Sequence, residues 1–249
     1  MIRRTLAVCI VATCLVSGVG AAHAAGASSP SSGAASPATL LVLGDSLTWG
    51  ANYFARLHER LSTQGPFTIT IVDGWWSRRI GGITSTKYSG VNTLRALRKS
   101  GVSPAAVIVG LGTNDVQFLG TPGQYVPVIE ELLAEIGPLP VTWLNVHRVD
   151  TATTKRRSRI FNRTLADVAL RHPNVTVVDW AGLVTSNPRL MAFDKIHLQP
   201  GGYEARSKVV IEAAGDLWTR HVAATTPTTV PATTTTVPDA TTTTVPAGG

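Results

Sequence analysis

Five short runs rich in valine, isoleucine and leucine alternate along the chain with longer stretches that suit helices. The apolar runs occur at 39–43, 67–72, 106–109, 141–145 and 175–178. The helix-compatible stretches cover about 47–62, 91–99, 123–136, 154–171 and 202–219. Strands that are apolar almost throughout are buried on both faces, so this alternation predicts a parallel sheet covered by helices on both sides. We therefore predict an α/β fold, a three-layer α/β/α sandwich with about five strands.

The number and order of these strand–helix units also indicate where a functional site would lie. Five strand–helix units in about 185 residues suit a sheet of flavodoxin-like strand order, and ligands of such sheets bind beyond the carboxyl ends of the strands. Ser46, Asn114 and Asn145 fall just beyond such ends. We expect any site at this edge of the sheet.

Both ends of the chain differ in composition from the central part. Residues 1–24 start with basic residues, continue with an apolar run and finish in Ala-His-Ala, which predicts a cleaved signal peptide and a secreted protein rather than a transmembrane anchor. Residues 25–37 consist of Ala, Gly, Ser and Pro, and this composition predicts a flexible leader. The Thr/Pro-rich residues 224–249 predict a disordered tail, either glycosylated or a plain spacer. This leaves 38–223 as one domain.

Cysteine content and charge narrow the classes of function. Cys9 and Cys14 are the only cysteines and both lie in the predicted signal peptide, so the remaining chain has no disulfide framework. The chain has 22 basic and 15 acidic residues, and a basic exported protein tends to stay near anionic cell-wall polymers. The basic run at 155–159 suits a solvated helix face. Without a recognition motif, nucleic acid is not an expected partner.

Ser46 follows the first predicted strand directly and precedes the first helix, in the segment Gly-Asp-Ser-Leu. A hydroxyl at this position is displayed at the sheet edge, and a backbone N–H at a helix N-terminus can stabilise developing negative charge. A serine that only caps the helix is the alternative. The segment is not the Gly-x-Ser-x-Gly turn of α/β-hydrolases, which disfavours that family.

Asp194 and His197 come after the last predicted strand and just before the final helix. An imidazole is the base that suits a serine hydroxyl near neutral pH, and its second nitrogen needs a partner that fixes the tautomer. A carboxylate three residues earlier can fold back onto that nitrogen. A capping aspartate and a buried structural histidine are the alternative.

Asn114 follows the third predicted strand in the segment Gly-Thr-Asn-Asp. Its side-chain amide can bind an oxyanion, whereas an Asx-turn is the alternative. We expect Asp115 to cap the segment that follows. The order of serine, asparagine, aspartate and histidine after the first, third and last predicted strands favours a serine hydrolase over four unrelated structural roles.

Three segments resemble sequence blocks of the SGNH/GDSL hydrolase family, and the resemblance covers essentially 39–219. Residues 44–50 are similar to its first block, 112–115 to its third and 194–198 to its last. The resemblance supports the predicted three-layer fold.

The resemblance also implies a role for each matched residue. By this resemblance, Ser46 is the nucleophile and its N–H contributes to the oxyanion hole. Asn114 is, by the same resemblance, an oxyanion donor. The resemblance implies His197 as the base and Asp194 as the group that orients it.

The second block, at 72–79, departs from the pattern of many members, in which a glycine N–H completes the oxyanion hole. It is similar to the variant of the extracellular SGNH domains of peptidoglycan and polysaccharide O-acetyltransferases, where a serine before an arginine takes that place. This similarity favours the backbone N–H of Ser77, with Gly74 second. Trp75 and Trp76 beside it either stack against a sugar ring or pack at the rim and in the core.

The remaining expectations concern ligands and activity. His147 and Arg148 follow the fourth predicted strand and are candidate contacts to the substrate or leaving group. No metal-ligand spacing occurs, so we predict no metal and no cofactor. We predict a monomeric, secreted serine esterase, extracellular or associated with the cell wall, that acts on a small ester or an acylated glycan with a short acyl group. An O-acyltransferase of cell-wall glycans and a non-catalytic carbohydrate-binding module are the alternatives.

Overall fold

The computed structural model describes residues 37–226. The predicted signal peptide, the leader up to residue 36 and the tail from residue 227 lie outside the described residues. Five parallel strands form one sheet: β1 (Thr39–Gly44), β2 (Ile69–Gly74), β3 (Ala106–Gly110), β4 (Val141–Leu144) and β5 (Val175–Val178). Their order is β2-β1-β3-β4-β5, which is the flavodoxin-like order. The predicted α/β class and parallel sheet are confirmed.

Eight α-helices of the described region cover the two faces of the sheet. They are α1 (Ser46–Ala55), α2 (Leu57–Gln64), α3 (Gly90–Lys99), α4 (Asp115–Phe118), α5 (Pro122–Ile136), α6 (Ala152–Ala169), α7 (Trp180–Ser186) and α8 (Pro200–Thr225). Successive side chains of a strand point to opposite faces. Leu41 and Leu43 therefore pack in a core with α3, α5 and α6, whereas Leu40 and Val42 pack in a second core with α1, α2, α7 and α8. No helix of residues 37–226 has the length and apolarity needed to cross a membrane.

Several helices and one strand differ from the sequence prediction. The predicted helix over 47–62 is two helices, because Arg56 adopts a left-handed conformation (φ 50°) between them. Strand β2 begins at Ile69, and Phe67 packs in the core from the preceding loop. Helices α4 and α7 were not predicted, since one or two turns are too short to show helical periodicity. Helix α8 extends to Thr225, beyond the predicted domain end at 223.

The turn from β1 into α1 is tight, which places the start of the helix at the sheet edge. A Cβ atom on Gly44 would lie 1.9 Å from Thr48 Oγ1, so this close approach requires glycine. Asp45 then caps α1 by accepting a hydrogen bond from the backbone N–H of Leu47 at 2.9 Å. Ser46 is thereby fixed as the first residue of the helix.

Candidate active site

A cleft of about 420 Å³ lies at the carboxyl edge of the sheet. The segments that follow β1, β2, β3 and β4, together with the loop before α8, contribute to its walls. Its lining residues are Ser46, Trp76, Ser77, Asn114, Gln117, Arg148, Ile196 and His197. Side chains that are up to 151 residues apart in sequence thus meet at the predicted edge.

A chain of two hydrogen bonds joins the serine, the histidine and the aspartate of this cleft. Ser46 Oγ lies 3.1 Å from His197 Nε2, and His197 Nδ1 lies 2.6 Å from Asp194 Oδ2. In this arrangement the carboxylate accepts from Nδ1–H, so Nε2 is left free to accept the serine proton. This geometry can serve a nucleophile, a base that takes its proton and a group that orients the base.

A small hairpin holds Asp194 and His197 in this relation. Met191 and Leu198 form an antiparallel bridge, and Lys195 at the tip adopts a left-handed conformation (φ 57°). Asp194 Oδ1 accepts the backbone N–H groups of Ile196 and His197 at 3.0 and 2.9 Å, which leaves Oδ2 for the imidazole. Partial burial raises the pKa of Asp194, but the hydrogen bonds from the His197 ring and these N–H groups outweigh it and hold the pKa below its ordinary value.

The loop after β2 brings Ser77 to the cleft in a left-handed conformation (φ 55°). The next residue, Arg78, is only 2% exposed and holds this loop in place. Its guanidinium donates to the carbonyl oxygens of Gly44, Asp73 and Lys87 at 3.0, 2.8 and 2.9 Å, and to Asp73 Oδ1 at 2.8 Å. One buried cation therefore ties the end of β1, the end of β2 and the loop at Lys87 together.

The segment after β3 is fastened to the same loop by two neighbouring side chains. Asn114 Nδ2 donates to the carbonyl oxygen of Arg78 at 3.0 Å, which uses one of its two N–H groups. Both carboxyl oxygens of Asp115 accept the backbone N–H of Ile80, at 3.2 and 3.1 Å. The expectation that Asp115 caps the following segment is therefore wrong, because α4 has no side-chain cap and the buried carboxyl faces the neighbouring loop instead.

Three residues that line the cleft can offer N–H donors to an anion. The backbone N–H groups of Ser46 and Ser77 have no acceptor among residues 37–226, and the amide of Asn114 has a second N–H. Donors fixed in advance around one point stabilise the negative charge that develops on a carbonyl oxygen during acyl transfer. The three residues predicted for an oxyanion hole are thus brought to one cleft.

Asp45 and Asp115, next to the cleft residues Ser46 and Asn114 in sequence, are buried, and so is Arg206. Burial raises the pKa of Asp115 to about 7, and the N–H of Ile80 and the charge of Arg79 offset this only in part. Burial likewise raises the pKa of Asp45, although the charge of Arg206 and the N–H of Leu47 oppose the shift. Neither carboxyl group lines the cleft, so neither is placed to contact a substrate there.

Three predicted contacts lie outside the cleft. Gly74 ends β2, where a Cβ would come within 2.3 Å of the Trp49 backbone N, so its role is close packing against α1. Trp75 does not line the cleft, and the Lys87 ammonium lies 4.7 Å from its ring centroid. His147 lines a neighbouring groove of about 520 Å³, and burial lowers its pKa.

Other cleft residues were weakly signalled by the sequence or missed. Arg148 lines the cleft with its guanidinium paired to Asp150 and Gln117. Gln117 was not predicted, because α4, the helix that carries it, is too short to be recognised. Ile196 was inside the last matched block, but nothing in its chemistry marked it as a wall of the cleft. Within residues 37–226, no group of three His, Cys, Asp or Glu side chains is arranged to hold a metal ion.

Comparison with known proteins gives a family and a shared fold. The sequence model of the GDSL-like lipase/acylhydrolase family matches residues 42–205. No curated protein matches the chain. Among similar solved structures, the lipase/acylhydrolase from Enterococcus faecalis is 19% identical, with a TM-score of 0.55 over 72% of this chain and 96% of that chain.

Two further similar structures come from proteins of other named activities. The carbohydrate acetylesterase family member from Sinorhizobium meliloti is 16% identical, with a TM-score of 0.57 over 72% of this chain and 98% of that chain. The C-terminal catalytic domain of peptidoglycan O-acetyltransferase A from Streptococcus pneumoniae is 18% identical, with a TM-score of 0.50 over 76% of this chain and 93% of that chain. At these identities the likeness shows the fold.

Proposed function

Because the chain belongs to the GDSL-like lipase/acylhydrolase family and is an ester hydrolase, we propose that Ser46, His197 and Asp194 form its catalytic triad. The observation that carries this proposal is the pair of hydrogen bonds, 3.1 Å from Ser46 to His197 and 2.6 Å from His197 to Asp194. The distances are within the range in which a base can take the proton of a nucleophile.

The geometry supports a two-step reaction through an acyl-enzyme. Ser46 Oγ attacks the ester carbonyl carbon while His197 Nε2 takes the hydroxyl proton, and the carbonyl oxygen becomes an oxyanion. The N–H groups of Ser46 and Ser77 and the amide of Asn114 stabilise that oxyanion. As the tetrahedral intermediate collapses, His197 returns the proton to the departing alcohol and the acyl group stays on Ser46.

The second step repeats the same proton transfers with water. His197 Nε2 takes a proton from a water molecule that attacks the acyl carbon, and then gives it back to Ser46 Oγ as the carboxylic acid leaves. Asp194 keeps the imidazole in one tautomer through both steps and stabilises the imidazolium that forms in each.

We propose a short acyl group, such as acetyl, as the preferred substrate group. Six of the eight side chains that line the cleft are polar, and Trp76 and Ile196 are the exceptions. A long alkyl chain needs apolar walls to leave water, at about 0.8 kcal/mol per buried methylene group. The cleft does not offer such walls, whereas an acetyl group needs little apolar contact.

The experiment is a chain-length series of p-nitrophenyl esters with two serine variants. Ser46→Ala is expected to lose roughly 10⁴-fold or more in kcat while keeping the wild-type melting temperature. Ser100→Ala, at the exposed end of α3, is the matched control and is expected to keep full activity. Turnover by Ser46→Ala within tenfold of wild type refutes the triad, and a maximum of kcat/KM at chains of eight or more carbons refutes the short acyl group.

An O-acyltransferase is the second candidate, because the pairing of Ser77 with Arg78 is similar to the second block of O-acetyltransferase domains. Both activities begin with the same acyl group on Ser46 and differ in whether water or a bound hydroxyl attacks it. We expect water to attack the acyl group in most turnovers, so that hydrolysis predominates. The measurement is free acetate against acetylated chitooligosaccharide, by mass spectrometry, from one activated acetyl donor. If acetylated glycan exceeds free acetate at millimolar acceptor, the proposed activity is transfer and not hydrolysis.

We further propose that the protein is exported and acts as a monomer outside the cell, near anionic wall polymers. The support is the composition of residues 1–24 and the excess of basic over acidic residues. Mass spectrometry of the N-terminus from culture medium is expected to give Ala25 as the first residue. A cell-associated chain that still begins at Met1 contradicts export.

A further inference from the structure

Four aromatic side chains form a continuous surface, here called the aromatic ridge, that starts at the cleft. They are Trp76, Trp49, Tyr53 and Phe54. Trp76 contacts Trp49 edge to face at 5.4 Å between ring centroids, and Trp49 stacks on Tyr53 at 5.1 Å with an interplanar angle of 7°. Phe54 meets the edges of both neighbouring rings on α1.

The aromatic ridge leads away from the proposed nucleophile along one side of α1. Trp76 lines the cleft together with Ser46. Trp49 and Tyr53 come three and seven residues after Ser46, and this spacing puts all three on the same side of the helix. Seven residues correspond to about 10 Å along the helix axis. A ligand bound at Ser46 that continues beyond the cleft on this side must pass over these rings.

The rings are exposed although their contacts hold them in place. Tyr53 is 68% exposed, Trp76 55% and Phe54 53%, so their outer surfaces are not used by the core. Phe54 also stacks on the buried ring of Tyr203 at 5.1 Å, and Gly50 leaves the space that this ring fills. Since the side chains are already positioned by one another, binding a ligand costs little side-chain ordering.

The surroundings of the aromatic ridge favour an uncharged ligand. The basic residues that follow it, Arg56 and Arg60, pair with Glu59 and Glu204 at 2.5 and 2.8 Å, so these pairs carry no net positive charge to attract lipid headgroups. The rings combine apolar faces with a phenol hydroxyl and indole N–H groups, which can keep contact with water or with hydroxyl groups. Sugar rings match this combination, because they have apolar C–H faces and a rim of hydroxyl groups.

We propose that the aromatic ridge binds the sugar rings of a linear glycan whose ester-bearing unit occupies the cleft. This inference rests on the proposed function, since it names the part of the substrate that lies outside the cleft. Stacking on the aromatic ridge would then select an acylated polysaccharide over a small free ester.

The first test measures binding without turnover, using Ser46→Ala as the background. Chitohexaose and xylohexaose are titrated against the protein, with Trp fluorescence and calorimetry as readouts, and their monosaccharides serve as short ligands. We expect at least one hexasaccharide to bind more tightly than its monosaccharide. Adding Tyr53→Ala is expected to weaken that binding about tenfold, the size of the loss of one stacked ring. Adding Tyr88→Ala, an exposed aromatic residue outside the aromatic ridge, is expected to leave it unchanged.

The second test compares two substrates in the active protein. Tyr53→Ala is expected to reduce kcat/KM for an acetylated hexasaccharide about tenfold more than kcat/KM for p-nitrophenyl acetate, mainly through KM. If Tyr53→Ala is unstable, Phe54→Ala is used in its place, and the same direction of change in kcat/KM is expected. Equal loss on both substrates overturns the inference.

Because binding to Ser46→Ala requires no chemistry, its outcome is separate from that of the proposed function. Hexasaccharides that do not bind, or that bind Tyr53→Ala as tightly as the background protein, overturn the glycan assignment. Binding to anionic vesicles that Tyr53→Ala abolishes, or a dimer that it dissociates, would also overturn it and would reassign the aromatic ridge to a membrane or to a second copy of the chain.

Discussion

The buried guanidinium of Arg78 is predicted to control catalysis from outside the cleft, and the variant that tests this is Arg78→Met. Methionine keeps an unbranched apolar stem of similar shape but removes every donor. The change leaves three carbonyl oxygens and the Asp73 carboxylate without the cation that now binds them. Ser77 precedes Arg78, so its N–H is expected to move when this loop is released.

The magnitude follows from the burial of the pair. Removing one partner of a buried ion pair typically costs about 3–5 kcal/mol. The lower end applies here, because the side chain of Asp73 is 28% exposed and water can reach it. For a domain of this size, about 3 kcal/mol lowers the melting temperature by roughly 6–12 °C, which leaves the protein folded at 25 °C. Loss of one oxyanion donor lowers kcat by roughly 10²–10³.

Calorimetry and steady-state kinetics on p-nitrophenyl acetate at 25 °C measure both effects. Arg95→Gln is the control, because Arg95 is half exposed and pairs with Glu131 and Glu135 on the helical surface, away from the cleft. A folded Arg78→Met protein with kcat within threefold of wild type would show that the Ser77 N–H does not depend on Arg78. A rise in KM alone would instead indicate loss of ground-state binding.

Three other changes have expected outcomes of their own. Asn114→Ala should lower kcat roughly 10²–10³-fold with little change in KM, and an effect confined to KM would contradict an oxyanion role. Asp194→Asn should lower kcat by less than the roughly 10⁴-fold known for a buried triad aspartate, because Asp194 is partly exposed; a loss smaller than threefold would remove it from the triad. Asp115→Asn should flatten the pH dependence of stability measured by urea unfolding. The pKa of Asp115 in the folded state is about 7, against 3.8 for an ordinary carboxyl, so between these pH values the folded state binds more protons than the unfolded state. The free energy of unfolding therefore decreases as the pH rises from 4 to 7, by on the order of 4 kcal/mol. Equal slopes for wild type and variant would contradict this.

The fold could be predicted because its signals are local and repeated. Each strand is a short run of buried apolar residues, and each intervening segment has helical composition, so class and strand number follow from patterning alone. The break at Arg56 gave no such signal. Residues on both sides of it suit helices, and a single left-handed residue between two short helices depends on packing that the sequence does not display.

The residues proposed for catalysis could also be placed near one another, for a topological reason. Ser46 and Asn114 follow β1 and β3, which are neighbours in the sheet, so their loops must meet. Asp194 and His197 are three residues apart, and a turn suffices to join them. Trp75 and Trp76 could not be separated in this way, because which of two adjacent side chains faces a cleft depends on the path of the loop and not on the residue type.

The sequence did not show how the second and third matched blocks, 72–79 and 112–115, are held next to each other. The motifs contain the residues proposed for catalysis, but their positions depend on side chains that bond to backbone atoms of another loop: Arg78 to Gly44 and Lys87, Asn114 to Arg78, and Asp115 to Ile80. Each bond is between residues nine or more positions apart and has no spacing rule. Because every one of them converges on the loop of Ser77, substitutions at Arg78 or Asp115 should perturb the proposed oxyanion hole before they perturb the hydrogen bond between Ser46 and His197, whose histidine is held by a separate hairpin.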